Sequence, residues 1–218
     1  RVLAAGNSGT LMLSIDKGES FSVIDPPNTG ANISVIANSL GEAIIGSGSN
    51  ENHLYTQDYG QSISTAANPA TTYSLTSGYY RYDQEGWYVG GGSSILTGPG
   101  EITRLASPNA APIALVTDAP SQVVAMAYRP TFHIDGELCV ALCHEGEIIY
   151  TTNDWLTYTI SSASLPGSTT ARPFTFDGQR FIIGYNGDVG EDAVVYTFTD
   201  PEVLQGPHLN TLQDNFEI

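Results

Sequence analysis

The sequence predicts an all-β protein, and more narrowly a five-bladed β-propeller with about four antiparallel strands in each blade. The first observation is composition: the 218 residues include 23 Gly, 12 Pro and 12 Tyr, and only 14% are charged, which is typical of short strands joined by tight turns. The second and third observations are two sequence markers that recur with one period and in one order. At this length a single domain, 1–218, is expected.

The first marker is a short apolar run that closes on a small residue. It ends at Gly6, Gly46, Gly90, Ala141 and Gly184. The second marker is a run that ends in a hydroxyl residue, in the segments Leu11–Ser14, His53–Thr56, Ser94–Thr97, Ile148–Thr151 and Val194–Thr197. Because both markers keep a period of roughly 45 residues, the size of a four-stranded blade, we expect five blades with the small residues at equivalent positions of second strands.

The predicted blades cover residues 1–25, 32–66, 77–106, 122–162 and 170–205, and a tail follows at 206–218. The first blade lacks its first strand, and a propeller has to pair the edges of its first and last blades. We expect the C-terminal segment from Gln205 to Ile218 to complete the first blade. A segment upstream of Arg1 is the alternative.

The residues after the second marker form a motif in two units and a weakened copy in a third. It reads Ser14-Ile-Asp16-Lys-Gly18-Glu-Ser-Phe21, Thr56-Gln-Asp58-Tyr-Gly60-Gln-Ser-Ile63 and Thr151-Thr-Asn153-Asp-Trp155-Leu-Thr-Tyr158. The other units keep only the fragments Thr97–Gly100 and Thr197–Asp200. Asp or Asn accepts hydrogen bonds from amides along such a turn, and Gly supplies the positive φ of a tight turn.

This motif resembles the Asp-box, the BNR or sialidase-like repeat of β-propellers, which also occurs in bacteriophage tail and fibre modules. The segment Asp177–Gly184 with Tyr196-Thr197 resembles the repeat unit of those phage modules. The resemblance implies structural roles, at the periphery and away from the ligand channel, for Ser14, Asp16, Gly18, Thr56, Asp58, Gly60, Thr151 and Asn153.

Sialidases clamp a carboxylate with three arginines in the propeller channel, which first strands line. Here the predicted ligand-binding set lies in or beside predicted first strands: Arg81, Arg129, Arg172, Tyr80 and Tyr128. Two interpretations stay open: the guanidiniums bridge neighbouring blades through carbonyls and carboxylates, or they form a site for an anion or a carboxylated sugar. Neither a Tyr–Glu pair nor the carboxylate pair of a glycosidase can be placed, so no catalytic residue is predicted.

Other candidate sites are weaker. The aromatic cluster formed by Tyr79, Tyr80, Tyr82, Trp87 and Tyr88 is either blade core or a platform for a sugar or protein. Cys139 and Cys143 would lie about 13 Å apart along one strand, beyond disulfide reach, and are expected to be buried thiols. The histidines are scattered. The acidic loop Gly187–Asp192 either holds Ca²⁺ through oxygen ligands or is solvated, and because it lacks an EF-hand pattern a solvated loop is preferred. No metal and no cofactor is therefore predicted.

The formal net charge of −16 argues against nucleic acid and anionic membranes as partners. No stretch of 18 apolar residues occurs and residues 1–20 lack a signal-peptide pattern, so membrane insertion is not expected. We therefore expect a non-catalytic binding or structural propeller of a virion or an extracellular surface, whose partner is a protein subunit or a surface glycan. The alternative is a sialidase-like or other glycoside hydrolase acting at the channel.

Overall fold

A computed structural model describes residues 1–6, 9–24, 32–47, 53–66, 73–93, 98–166, 173–186 and 193–209. These residues contain nineteen β-strands and no helix, so none of their segments is a helix able to cross a membrane. The strands form five antiparallel sheets, each built from strands that follow one another in the chain. Two compact units are present, Arg1–Val124 and Ala125–Ile218, and the assignment of one domain to 1–218 stays a prediction.

The first unit holds three sheets. The first sheet contains β1 (Val2–Ala5), β2 (Leu11–Ser14) and β3 (Ser22–Ile24). The second contains β4 (Asn32–Ala37), β5 (Ala43–Ser47), β6 (Leu54–Thr56) and β7 (Ser64–Thr65). The third contains β8 (Tyr73–Arg81), β9 (Gly86–Ser93), β10 (Gly100–Leu105) and β11 (Ile113–Ala119).

The second unit holds the remaining two sheets, and the boundary between the units falls inside β12. The fourth sheet contains β12 (Val123–Arg129), β13 (Leu138–Cys143), β14 (Glu147–Thr151) and β15 (Thr159–Ser164). The fifth contains β16 (Phe174–Phe176), β17 (Phe181–Asn186), β18 (Ala193–Phe198) and β19 (Gln205–Leu209).

The short apolar runs form strands because both of their faces are buried. In β5, Ile44 belongs to a core cluster with Trp87 and Val89 of the third sheet, whereas the next residue, Ile45, packs with Leu11 of the first sheet. Successive side chains of a strand point to opposite faces. The second sheet is therefore packed on both sides, which explains a continuous apolar run in place of strict alternation.

The small residues of the first marker lie on second strands in four sheets: Gly46 on β5, Gly90 on β9, Ala141 on β13 and Gly184 on β17. Their register differs, however. Thr56 pairs with Ala43, three residues before Gly46, whereas Thr151 pairs with Cys139, two residues before Ala141. At Gly46 the reason for the small residue is close approach, because an added Cβ would lie 2.2 Å from the carbonyl oxygen of Leu75.

Three predictions about strands and the extent of sheets are wrong. The strand that pairs with β9 is Gly100–Leu105 rather than Ser94–Thr97, and residues 94–97 lie outside the described residues. The third sheet also reaches Ala119, beyond the predicted blade 77–106. Gln205–Leu209 is the outer strand of the fifth sheet, paired with β18, so it does not complete the first sheet, and residues 210–218 lie outside the described part of the chain.

Candidate functional site

Arg81 lies at the end of β8 and is completely buried. Its Nε and Nη2 donate to the two carboxylate oxygens of Asp83, at 3.1 and 2.5 Å, and the guanidinium carbon lies 5.9 Å from the centroid of the Tyr88 ring. A bidentate, charge-assisted pair of this kind is among the stronger hydrogen-bonding arrangements in proteins. The guanidinium therefore stabilises the turn that follows β8 and is not accessible to a dissolved anion.

Arg129 lies at the end of β12 and is also buried. Its Nε donates to the carbonyl of Gly136 (2.9 Å), its Nη2 to that of Asp135 (3.2 Å) and its Nη1 to that of Thr199 (3.2 Å). These bonds join the hairpin between β12 and β13 to the turn after β18. Arg129 thus bridges two neighbouring sheets.

The other described members of the predicted ligand-binding set are Tyr80 and Tyr128. Tyr80 is buried, its ring centroid lies 4.8 Å from that of Trp87, and burial raises the pKa of its hydroxyl. Tyr128 is half-buried on β12, and Arg172 lies outside the described residues. The guanidiniums of Arg81 and Arg129 are both engaged by protein groups, and the anion site stays a prediction.

The aromatic cluster is mostly core. Tyr79, Tyr80, Trp87 and Tyr88 are all buried, and Tyr79 stacks on Tyr88 with 5.4 Å between ring centroids. Tyr82 alone within this cluster is well exposed, at 53%.

Cys139 and Cys143 are buried thiols, as predicted. Within the described residues, no three His, Cys, Asp or Glu side chains are grouped to hold a metal ion.

The turn between β2 and β3 has the hydrogen bonds that its sequence predicts. Asp16 accepts the Ser20 amide at 3.0 Å and the hydroxyls of Ser14 and Ser20. The Ser14 hydroxyl in turn accepts the Gly18 amide at 2.7 Å. These hydrogen bonds hold the pKa of Asp16 well below its usual range, so the carboxylate stays ionised and holds the turn closed.

The turn between β6 and β7 repeats this arrangement. Asp58 accepts the Ser62 amide at 2.9 Å and the Ser62 hydroxyl at 2.6 Å, and the Thr56 hydroxyl accepts the Gly60 amide at 2.9 Å. The bonds from Ser62 lower the pKa of Asp58 to about 2. The motif is therefore a self-contained turn whose polar groups bind one another.

The weakened copy between β14 and β15 is built in the same way. Asn153 accepts the Thr151 hydroxyl at 2.7 Å and the Thr157 amide at 3.1 Å. Trp155 replaces the glycine and keeps a positive φ of 62°, beside Asp154 at 59°. Its indole is nearly completely buried, so burial of a large side chain accompanies a backbone conformation that L-residues disfavour.

A further copy was missed in the third sheet. In the fragment Thr97–Gly100, Thr97 lies outside the described residues and Gly100 begins β10. In the turn after β10, the Ser107 hydroxyl donates to Asn109 at 2.8 Å, with Ala111 in the glycine position. The signal was the Ser-x-Asn spacing, which repeats Ser14-x-Asp16. In the fragment Thr197–Asp200, Asp200 accepts the Glu202 amide at 3.0 Å.

The buried hydroxyl of Thr56 should matter for stability. Thr56→Val keeps the side-chain volume but leaves the Gly60 amide without its acceptor, and an unsatisfied buried donor costs about 1–3 kcal/mol. We expect this loss in urea unfolding. The control is Thr65→Val on the exposed strand β7, which should change stability by less than about 0.5 kcal/mol. Equal unfolding midpoints for the two variants would show that the turn does not depend on this hydroxyl.

Stability should also depend on pH through His53. This buried side chain has Nε2 2.9 Å from the Pro108 carbonyl, and burial lowers its pKa. Because the unfolded histidine titrates near about 6.5, the unfolded state binds more protons below that pH, and stability should fall as the pH drops. His53→Gln should flatten this slope. A second loss should follow below about pH 4, where Asp58 is protonated on unfolding. A slope unchanged in His53→Gln would assign the effect to another group.

A cleft of about 260 Å³ opens within the first unit, between its first and second sheets. Its apolar lining comes from Leu3, Leu13, Ala37 and Ala43, and its polar lining includes Arg1, Asn38, Ser39, Glu42, Thr56 and Tyr59. The carboxylate of Glu42 accepts from the amide groups of Asn38 (2.8 Å) and Gln57 (3.3 Å). The cleft therefore combines an apolar interior with a polar rim.

Tyr59 at this rim is held in place by its neighbours. Its amide donates to the Gly41 carbonyl at 2.7 Å, and an added Cβ at Gly41 would lie 2.6 Å from the tyrosine ring. The Arg1 guanidinium carbon lies 5.8 Å from the ring centroid. The ring nevertheless stays 52% exposed.

Two further exposed side chains lie next to this rim, on adjacent turns. Tyr82, after β8, accepts the Ser39 amide with its hydroxyl at 2.7 Å. Leu40 follows Ser39 in the turn between β4 and β5 and is 62% exposed. We call Tyr59, Leu40 and Tyr82 the tyrosine surface. Rigid, amphipathic tyrosines lose little conformational entropy on binding, so this surface is suited to recognition.

Two residues of this surface stand at turn positions that are recognisable in the sequence. Tyr59 stands between Asp58 and Gly60 at a turn position with φ of 63°, and Leu40 precedes Gly41 in a hairpin turn. Side chains at turn tips point to solvent, and binding residues concentrate on such connections. Large apolar residues at these two positions therefore indicate contact with a partner.

Comparisons with known proteins bear on the fold. No protein-family model matches the sequence, and no curated protein matches it significantly. Similar solved structures include YCF48 bound to a D1 peptide (18% identity, TM-score 0.64, covering 94% of this chain and 63% of that one) and the nidogen/laminin complex (7%, 0.65, 86% and 67%). An ancestral GH74 enzyme is also similar (13%, 0.69, 93% and 29%).

The chain thus spans less than two thirds of the YCF48 chain and under a third of the GH74 enzyme. At these identities the likeness concerns the fold alone. These neighbours are β-propeller proteins, and the chain has five successive antiparallel sheets. Its fold is the five-bladed β-propeller.

Proposed function

We propose that this chain is a non-catalytic binding propeller that recognises a protein partner through the tyrosine surface. The observation that carries the proposal is that two half-exposed tyrosines and an exposed leucine are fixed by backbone contacts beside an apolar cleft. Tyrosine is enriched among the residues that dominate binding energy at protein interfaces. The YCF48 and nidogen structures, which hold a peptide and laminin respectively, support a protein partner.

We further propose that the protein belongs to a virion, such as a phage tail or fibre, or to another surface assembly, where it mediates attachment or subunit contacts. The resemblance of its turns to the Asp-box and of Asp177–Gly184 to phage repeats supports this setting. The low charge content and the buried thiols of Cys139 and Cys143 fit a virion protein made in a reducing compartment.

A surface glycan is the second candidate partner, because Asn38 and Glu42 place amide and carboxylate groups at the cleft. The surroundings of the Tyr59 ring favour a protein instead. Arg1 lies over this ring and the backbone of Gly41 lies against it, so a sugar that stacks on a ring face has to displace one of them, whereas a protein side chain can contact the exposed part of Tyr59. The protein partner is therefore preferred.

A glycoside hydrolase is the competing function, since GH74 enzymes are among the structural neighbours. Glycoside hydrolysis requires two carboxyl groups flanking the scissile bond, roughly 5–10 Å apart. Among the described residues that line the cleft, Glu42 alone supplies a carboxylate, and amide donors already bind it. The cleft therefore offers no carboxylate pair.

The proposal can be tested by selecting peptides from a random displayed library against the whole chain. We expect selected peptides to bind Tyr59→Ser and Tyr82→Ser at least about tenfold more weakly, as for interface hot spots. Ile15→Ser, an exposed apolar residue in the first motif turn, is the control and should bind normally. A glycan array serves as the second arm: glycan binding that requires Tyr59 would replace the protein partner, and hydrolysis of the glycan would contradict the proposal.

A further inference from the structure

The loop between β12 and β13 exposes two large apolar side chains almost completely. Phe132 is 89% exposed and Ile134 is 95% exposed, although they flank His133 in a loop of only eight residues, 130–137. Neither side chain contributes to the core of the second unit. Apolar residues exposed side by side in this way often mark an interaction site.

The backbone of this loop is fixed. The His133 amide donates to the Pro130 carbonyl at 3.0 Å, and the Gly136 amide donates to the His133 carbonyl at 2.8 Å. The Arg129 guanidinium holds the carbonyls of Asp135 and Gly136. The exposure of Phe132 and Ile134 is therefore imposed by an ordered loop.

His133 is anchored between them. Its Nδ1 accepts the Asp135 amide at 3.2 Å, and its Nε2 lies 3.2 Å from the Gly178 carbonyl. The imidazole also packs edge-on against Phe176, with 5.4 Å between ring centroids. Because His133 is fixed against the fifth sheet, its neighbours Phe132 and Ile134 project to solvent. Binding through them therefore loses little conformational entropy of the loop.

The surroundings of the loop are acidic. In an antiparallel sheet of consecutive strands, alternate turns leave from the same end, so the turn with Leu156, itself exposed, lies at the same end as this loop. The turns at this end of the fourth and fifth sheets carry Asp135, Asp154, Asp177, Asp200 and Glu202. The described basic residues there are Arg129, which is buried, and Arg180, which lies 3.6 Å from Asp177.

We propose that loop 130–137 is a second binding surface, which takes a protein segment with apolar side chains flanked by Lys or Arg. Phe132 and Ile134 supply the apolar contact, and the acidic turns supply charge complementarity, which speeds association and selects partners. A second copy of this chain fits poorly, because each copy carries a net charge of −16. This surface belongs to the second unit and does not rest on the tyrosine surface.

The test is an NMR titration of the whole chain with three synthetic peptides of equal length. One has leucines flanked by lysines, one has glutamates in place of the lysines, and one has serines in place of the leucines. We expect the lysine–leucine peptide to shift the amides of residues 130–137 and to bind at least about tenfold more tightly than the other two. Binding should weaken at raised ionic strength.

The matched variants are Phe132→Ser with Ile134→Ser, and Ile15→Ser as the control. The double variant should lose at least about tenfold in affinity while its thermal unfolding is unchanged, since exposed side chains contribute little to stability. The control should bind normally. The proposal would be overturned if the double variant bound the lysine–leucine peptide as tightly as the wild-type chain, if the glutamate peptide bound equally well, or if no peptide bound. It would also be overturned if the chain formed a dimer that the double variant abolishes. Tyr59→Ser should leave this binding intact, so the proposals for the tyrosine surface and for loop 130–137 can be contradicted independently.

Discussion

Replacing Arg129 with methionine is expected to destabilise the protein by about 3–5 kcal/mol. Methionine fills similar space but donates no hydrogen bond, so the carbonyls of Asp135, Gly136 and Thr199 lose the partner that the guanidinium provides. A hydrogen bond from a charged donor contributes about 1.5–3 kcal/mol, and water recovers part of this loss at Asp135 and Thr199, which are exposed residues. Urea unfolding of the whole chain measures this loss.

Arg180→Met is the matched control in the same unit. Arg180 is exposed and lies 3.6 Å from Asp177, and exposed ion pairs contribute at most about 1 kcal/mol. A small effect for Arg180 beside a large one for Arg129 is therefore expected. If both variants unfold like the wild-type chain, Arg129 is not structural and its guanidinium is available to a ligand.

Replacing Trp155 with glycine should destabilise the protein by about 2–4 kcal/mol, although it restores the residue that the motif prefers. The substitution relieves a positive φ that costs about 1–2 kcal/mol, but it removes a buried indole, and truncating a buried tryptophan costs about 3–5 kcal/mol. Burial therefore outweighs strain. Thermal and urea unfolding both report the difference.

Lys17→Gly is the control for this substitution. Lys17 also has a positive φ, of 64°, but its side chain is exposed, so no burial is lost there. The relief of strain is partly offset by the greater backbone entropy of glycine in the unfolded chain, and stability should change by no more than about 1 kcal/mol. A Trp155→Gly variant more stable than the wild-type chain would show that backbone strain dominates in this turn.

The strands and motif turns were predictable because their determinants are local. Ile44 and Ile45 lie in a short apolar run bounded by glycines. Such a run predicts a strand without knowledge of which neighbouring sheet each side chain packs against. Asp16 and Asp58 close their turns with groups no more than four residues away. Local chemistry of this kind can be read from one sequence.

The strands that the sequence failed to predict are those that form because they pair with another strand. In β10 the polar residues Thr103 and Arg104 interrupt the apolar pattern, and the strand forms because it pairs with β9. β19 contains Gly206 and Pro207, which disfavour a central strand, but proline is tolerated in an outer strand. Neither strand has the apolar period that sequence patterns detect.

The roles of the arginines required the structure. Their positions beside the first strands could be predicted, but one acceptor of Arg129 is Thr199, seventy residues further along the chain. The tyrosine surface likewise depends on the bond between Tyr82 and Ser39 of a neighbouring sheet. No sequence spacing reports such pairs.

The most direct test of the claim that the arginines are structural is a crystal structure of the chain soaked with sialic acid at high concentration. We predict that Arg81 keeps Asp83, that Arg129 keeps its three carbonyl partners, and that neither guanidinium binds the sugar carboxylate. A sialic acid carboxylate bound to Arg81 or Arg129 in place of these partners would contradict the account.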